Sequence, residues 1–542
     1  MRVVSLAAAA AVLSNVLVWP VQAQAPAAPR VTVGADLKVL RFDWDPVPGA
    51  TSYQLLIKPN ATAPFAVYGE RIPATRTFAR LAVAVHTLDW TGSRYAIRAC
   101  NSSGCKSSAA LPVRDLMLPS IGYVKASNTD ALDAFGRFFV LSQDGNTLVV
   151  SSQEDSAATG VNGDQEDDSL EESGAVYVYR RIGSAWQQSA YLKPDVTQAQ
   201  QYFGTGYPLG LRPVAVTSDG ATIAVGAPGE NVGAAEAAGA IYLFTRAADG
   251  SWSQVAKLTA PAPNNFDYFG VGLELSDDGT YLRATAIAGV PSVTSLVYRR
   301  GASGWEYDTT LAGDFNDIWC ANQLSANATK IIAVCESFTI PGTRLHTWKR
   351  SGTVWSLAST QSVPSRVDEP VALSGNAAHL ALRIRTETGD VSVNSYTWTG
   401  SEWTLGQVLL QPGGLAFGFN TWGQNLAINR NGTMLAIGDY WNTSGGTGVA
   451  NGLRPPNSPA PFDKEGAVFV YQRGDGTSPY ALTKVVKAPN PGNGDAFGHD
   501  LALSGNGLTL AVGAPGEDSA ARGIDGDQAD ESLQSAGAVY LY

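Results

Sequence analysis

The chain is poor in the residue types on which much protein chemistry depends. Its 542 residues include four cysteines, four histidines and three methionines, and only 16% are charged. His86, His346, His379 and His499 stand far apart, and no HExxH, GxSxG or P-loop pattern occurs. Zinc-protease, serine-hydrolase and phosphate-cradling chemistry therefore lack their usual residues, and no catalytic role is expected. There is no cluster of Lys and Arg and the formal net charge is −11, which argues against nucleic acid as a partner, since binding it needs localised positive charge. Past the first two dozen residues no stretch approaches the ~18 apolar residues of a membrane helix, so no transmembrane segment is expected. The cysteines fall into two close pairs, Cys100 with Cys105 and Cys320 with Cys335. Their spacings match no zinc pattern and read as disulfides of an oxidising compartment.

Residues 1–23 have the make-up of a secretory leader: Arg2, an apolar run from Val3 to Val18, and small residues at Ala23 and Ala25. The expected location is secreted, periplasmic or cell-surface. The remainder alternates runs rich in Val, Leu, Tyr and Trp with clusters of Gly, Asn, Asp and Ser, and 57 glycines are present. This is an all-β composition.

One element recurs along the chain: an apolar residue, usually Ser or Thr, a tight polar turn, then a β-rich run. It reads LSQDGNTLVV from Leu141, VTSDGATIAV from Val216, LSDDGTYLRA from Leu275 and LSANATKIIAV from Leu324. Further copies are LSGNAAHLAL from Leu373, INRNGTMLAI from Ile428 and LSGNGLTLAV from Leu503. A turn of this kind between alternating apolar residues signals a hairpin, whose strands are termed a and b. A strand c follows in most copies, as GAVYVY at Gly174, GAIYLF at Gly239, GAVFVY at Gly466 and GAVYLY at Gly537. A strand d comes next, often opened by an aromatic residue such as Trp186, Trp252 or Trp403. Seven copies of four antiparallel strands predict a seven-bladed β-propeller over residues 118–542. Regular packing between blades is the expected role of the aromatic residues.

Spacing also predicts how the ring closes. Lys193 and Lys487 each lie ten residues before a Phe-Gly pair, at Phe203 and Phe497, and Lys125 lies ten before Phe135. The segment around Lys125 nevertheless precedes the first copy, so it is expected to serve as strand d of the seventh and remove a free sheet edge.

The segments Asp133-Ala-Phe-Gly, Asp267-Tyr-Phe-Gly and Asp495-Ala-Phe-Gly, with AVGAP at Ala224 and Ala511, resemble FG-GAP repeats. These are the repeats of the integrin α N-terminal propeller and of many secreted bacterial proteins. The resemblance implies ligand binding on the face that carries the b-to-c loops and the d-to-a connectors. Cation sites of integrin-type repeats lie in the a-to-b turn, which here carries only Asp144, Asp219 or the pair Asp277 and Asp278. Residues 26–117 resemble a fibronectin type III module, through Trp44, Tyr53 and Tyr95, and are expected to form a β-sandwich that acts as a spacer.

Two long b-to-c loops match closely: Glu154 to Gly174 in copy 1 and Glu517 to Gly537 in copy 7. They carry eight and six acidic residues against the single Arg522, more negative charge than the chain as a whole. Once the ring closes they are neighbours on one face, where they need solvent, a cation or a basic partner. Ca²⁺, which takes several oxygen ligands, suits Asp164, Asp167, Asp527, Asp530, Glu154 and Glu517. Solvated loops capped by their own side chains are the alternative. Cys320 and Cys335 lie symmetrically about Asn327 and Ala328, so a hairpin there places them opposite each other at disulfide distance. The expected function is adhesion-type recognition of an extracellular protein or polysaccharide by a monomer. The alternative is a hydrolase or lyase acting on extracellular polysaccharide, which a central cleft with convergent carboxylates and a Tyr, His or Arg would favour.

Overall fold

The computed structural model describes residues 24–207, 211–287, 293–311, 317–337, 342–363, 366–386, 388–412, 421–452 and 465–542. The expected leader, 1–23, and residues 453–464 of the long loop in copy 6 lie outside the described residues. Regular structure is almost wholly β, and helix among the described residues is confined to the short turns Arg114–Leu116 and Leu118–Ser120. No described helix is long and apolar enough to cross a membrane.

Each repeat forms an antiparallel sheet in the order a, b, c, d. In copy 1 the strands are Phe139–Leu141, Thr147–Ser152, Ala175–Ile182 and Ala185–Leu192. The Ser or Thr that opens the a-to-b turn explains the recurrence of this hairpin. Ser142 Oγ accepts the amide of Thr147 at 2.9 Å, and Asp144 accepts that of Asn146 at 2.9 Å, so the turn is closed by its own side chains. A second recurrence is a register shift between strands c and d, at Val178/Tyr179, Leu243/Phe244 and Val297/Tyr298 among others. Such irregularities increase the twist that blades need to splay from an axis.

The a strands, Phe139–Leu141, Val214–Val216, Leu273–Leu275, Asp317–Leu324, Arg366–Leu373, Asn425–Ile428 and Leu501–Leu503, neighbour one another in sequence order, and the last neighbours the first. Four-stranded sheets arrayed in such a cycle make a β-propeller. Its closure is the one expected from the spacing: Gly122–Val124 pairs with Ala538–Leu541, Val124 opposite Val539 and Gly122 opposite Leu541.

The seams between sheets account for two sequence signatures at once. Gly174, Gly239 and Gly537 open strand c with φ of +77°, +83° and +80°, and a Cβ on any of them would stand 2.2–2.3 Å from the carbonyl oxygen of the next copy's Phe, Phe203, Phe269 and Phe135 respectively. Only glycine fits so close an approach at positive φ. The same phenylalanines are fully buried against the tyrosines of strand c, Phe135 on Tyr177 at 5.5 Å and Phe203 on Tyr242 at 5.8 Å between centroids. Trp252 and Trp403 reach the neighbouring sheet, their indole N–H groups donating to Ser189 Oγ at 3.1 Å and Thr347 Oγ1 at 3.0 Å.

At the end where the a-to-b turns lie, backbone hydrogen bonds pass from one turn to the next. They run from Asp144 N to Ser218 O, Ser218 N to Asp277 O and Asp277 N to Ala326 O, then from Arg430 N to Gly505 O and Gly505 N to Gln143 O. Arg430 of copy 6 also pairs with Asp277 of copy 3 on the far side of the cycle. The axis is thereby crossed and closed at the turn end.

Both cysteine pairs are disulfides, with Cα atoms 4.1 Å apart in each. Cys320 stands opposite Cys335 in the strand register, as the symmetric hairpin requires. The described chain divides into two compact units: one of residues up to 33, 42–79 and 91–113, the other of 34–41, 80–90 and everything from 114. The first unit is built on a sheet of Ala66–Pro73, Ser52–Lys58, Arg94–Asn101 and Gly104–Ser107 in that order, with Leu111–Pro112 beside Arg94–Asn101. In its core Trp44 meets Tyr53 edge-on at 5.1 Å, and the Tyr53 hydroxyl accepts the amide of Val47 at 2.8 Å.

Candidate functional site

The two acidic loops fold back along strand d of their own sheets. Val161 bridges Leu192 and Ile524 bridges Val124, with Asn162 N donating to Tyr191 O at 2.8 Å and Gly523 N to Ala126 O at 2.9 Å. In copy 6 the equivalent loop pairs as a fifth strand, Gly448–Asn451, on Ala481–Lys487. The outer edges of these sheets are thus covered rather than left to pair with another chain.

The six acidic candidates divide into two sets. Asp164, Asp167, Asp527 and Asp530 lie along the loops and close their own turns, accepting the amides of Glu166, Ser169, Ala529 and Ser532 at 2.9–3.1 Å. Arg522 of one loop pairs with Glu166 of the other at 2.9 Å, so the loops do meet. Glu154 and Glu517, by contrast, are about 1% exposed at the loop bases. The Tyr123 hydroxyl donates to Glu517 at 2.7 Å and Lys125 pairs with it at 2.8 Å, both groups buried. Glu154 accepts from Asn128 at 2.7 Å and from the Tyr177 hydroxyl.

Copy 2 repeats the arrangement with Glu230, which accepts from Tyr242 and Gln201 at 2.8 Å each and pairs with Lys257. A buried carboxylate just past strand b that accepts from a tyrosine hydroxyl therefore recurs under the loops in copies 1, 2 and 7, with a lysine paired to it in copies 2 and 7. The glutamates were legible in sequence as acidic residues near a loop. Their partners come from separate segments and gave no local signal.

Beside these glutamates, the Asp of each D-x-F-G segment closes the connector. Asp133 accepts the amide of Asp130 at 3.1 Å, Asp267 that of Asn264 at 2.7 Å and Asp495 that of Gly492 at 2.7 Å. Burial pushes the Asp495 carboxyl up to about 7. Burial and the neighbouring Glu154 raise that of Asp133 as well. One carboxylate oxygen from each of Asp130, Asp133 and Glu154 lies within 4.8 Å of the others, the one such acidic grouping among the described residues.

A second feature went unread in the sequence. Around the axis, where strands a begin and strands b end, lies a cavity of about 580 Å³. Among the described residues its wall includes five arginines, Arg137, Arg212, Arg283, Arg383 and Arg385, and two carboxylates, Glu274 and Asp500. Arg283 pairs with Glu274 and Arg212 with Asp500, and Asp500 also accepts the amide of Phe139 at 3.0 Å. Tyr440 and His499 add aromatic surface, 5.4 Å apart between rings. Strand direction puts this cavity at the end of the b-to-c loops and d-to-a connectors, opposite the end that Arg430 closes.

No protein-family model matches the chain, and no curated protein sequence does. Solved structures with similar chain paths include Kuenenia stuttgartiensis hydrazine synthase, 11% identical with a TM-score of 0.44 over 71% of this chain and 93% of that one. The Pseudomonas aeruginosa periplasmic gluconolactonase PpgL is 12% identical, TM-score 0.40, over 81% and 98%. The Dos1 propeller is 9% identical, TM-score 0.41, over 96% and 93%. At these values the propeller assignment rests on the strand pairings of the chain itself.

Proposed function

We propose that the chain is a secreted, periplasmic or cell-surface recognition protein in which a seven-bladed, FG-GAP-like propeller binds an extracellular protein or glycan at its loop end, preceded by a fibronectin type III-like sandwich. The observation that carries this reading is the construction of that end. Long acidic loops from copies 1 and 7 are fastened to their own outer strands and to each other, and the networks of Glu154 and Glu517 fill the space beneath them. Ordering loops in advance lowers the entropy a partner must remove on binding. The two disulfides agree with an oxidising compartment.

In this reading Ca²⁺ bound through Asp164, Asp167, Asp527 and Asp530 adds rigidity to the loops, with Glu154 and Glu517 acting as internal supports. The test is a screen of immobilised glycans and extracellular proteins with the full mature chain, in Ca²⁺ and in chelator. Binding is expected, together with a melting temperature raised by Ca²⁺ by mass action and no longer raised when the four aspartates become Asn. An unchanged melting temperature removes the ion, and a blank screen removes the recognition role.

One observation favours the alternative of a polysaccharide hydrolase or lyase: Tyr440 and His499 face each other in an arginine-lined cavity. Both carboxylates there are engaged by arginine, which suits ligand binding better than hydrolysis. Release of unsaturated uronate ends, followed by absorbance, would bring the lyase forward.

A further inference from the structure

We propose that the axial cavity binds the carboxylate of an acidic sugar, a single uronate presented at the end of a glycan. The inference deepens the recognition reading and rests on it for the choice of loop end.

A chain with a formal net charge of −11 brings five arginines to one pit. Arg212 and Arg283 are paired with Asp500 and Glu274, and Arg383 donates to the carbonyl of Trp422 at 2.8 Å. Arginine, with a planar fork of donors, matches a carboxylate. Arg137 stands ready for one: it is exposed, its guanidinium stacks 5.7 Å over Phe138, and it makes no ion pair or side-chain hydrogen bond among the described residues. The cavity volume lies within the range of small-ligand sites.

The rest of the wall suits hydroxyl groups. The amides of Gln424 and Asn425 reach the cavity with no side-chain partner among the described residues, and each can both donate and accept. The Nδ1 atom of His499 is buried there with no hydrogen-bond partner among the described residues. An acidic peptide would use the arginines and leave these groups unanswered; a sugar acid uses both.

Access narrows the ligand further. The turn end is crossed by the Arg430–Asp277 pair, so entry is from the loop end. The acidic loops of copies 1 and 7 give that end a negative field, which repels an approaching continuous polyanion, whereas one terminal uronate on an otherwise neutral chain exposes a single charge to it.

The experiment is calorimetry of the full mature chain with a glucuronate-terminated disaccharide, its methyl ester, heparin and a tetraglutamate peptide. The acid is expected to bind, with the ester and the Arg137→Gln variant each weaker by about tenfold or more, the scale of one lost charge-assisted pair. Arg137→Lys should recover part of the loss, and the melting temperature of both variants should match that of the parent. The proposal is overturned if the ester binds as well as the acid, if Arg137→Gln and Arg385→Gln both bind like the parent, or if tetraglutamate or heparin binds as tightly. It is also overturned if the acid does not bind. Partners found in the screen that are indifferent to Arg137→Gln would leave the recognition role standing and remove this site alone.

Discussion

At the scale of single residues, the glycine before strand c in copies 1, 2, 6 and 7 carries a tight constraint. Gly537 has φ +80° and faces the carbonyl of Phe135, which a Cβ would meet at 2.3 Å. Gly160 has a similar φ of +70° with nothing within 4 Å of the same position. Comparing the two separates backbone strain from collision. Gly160→Ala is expected to cost ~1–2 kcal/mol from φ alone. Gly537→Ala is expected to cost about 3 kcal/mol or more, because the neighbouring sheet must also move. Chemical denaturation of both variants measures the difference; equal losses would mean that the seam yields easily. The repetition of this glycine was legible in the sequence, whereas its reason was not. The atom it must avoid belongs to the next copy, and for Gly537 that copy stands at the other end of the repeat region.

At the scale of elements, the connectors that end in D-x-F-G predict a pH dependence. Burial first, then the Gly492 amide acting the opposite way and the charges of Glu517, Glu531 and Asp518, set the Asp495 carboxyl at about 7 against an ordinary 3.8. A folded value above the unfolded one means a stabilising contribution present below the unfolded value and lost as pH rises through the folded one. Stability should therefore fall between about pH 4 and pH 7. Lys193, lowered by burial from 10.5 to about 7, acts with the opposite sign above that window and leaves the acid limb interpretable. Asp495→Asn keeps an acceptor for Gly492 and removes the titration. It is expected to flatten the slope and to gain ~1 kcal/mol near pH 8. Melting curves across the range check this, and an unaltered slope would assign the effect to other groups. The Asp was visible in the sequence as part of a family-like signature. Its burial beside Glu517 was not, because the loop that carries Glu517 reads as a solvated acidic run. The sequence set Glu154 and Glu517 beside the loop aspartates, and gave no sign that tyrosines, an asparagine and a lysine from other segments engage them.

At the scale of the whole repeat region, closure makes the sheets depend on one another. The ten-residue spacing from Lys125 to Phe135 disclosed which strand closes the ring. The axial cavity stayed hidden, because its arginines come from copies 1, 2, 3 and 5, two of them from copy 5, and converge only when the cycle forms. In an open solenoid each repeat leans on its neighbours alone and ends can fray independently. Here Gly122–Val124 completes the last sheet, and behind it Lys125 and Glu517 form a buried pair at 2.8 Å, with side chains about 0% and 1% exposed. Lys125→Met leaves Glu517 buried without its cation and should cost ~3–5 kcal/mol, much of it the penalty of an unpaired charge. Replacing Glu517 with Gln in the same chain should return a large part of that loss, since the neutral side chain can still accept from Tyr123. If closure couples the ring, each variant will shift a single calorimetric transition of the propeller. An early separate transition, with the remaining sheets melting at the parent temperature, would instead mean that the sheets adjoining the closing strand unfold on their own and that the cycle is held locally, seam by seam.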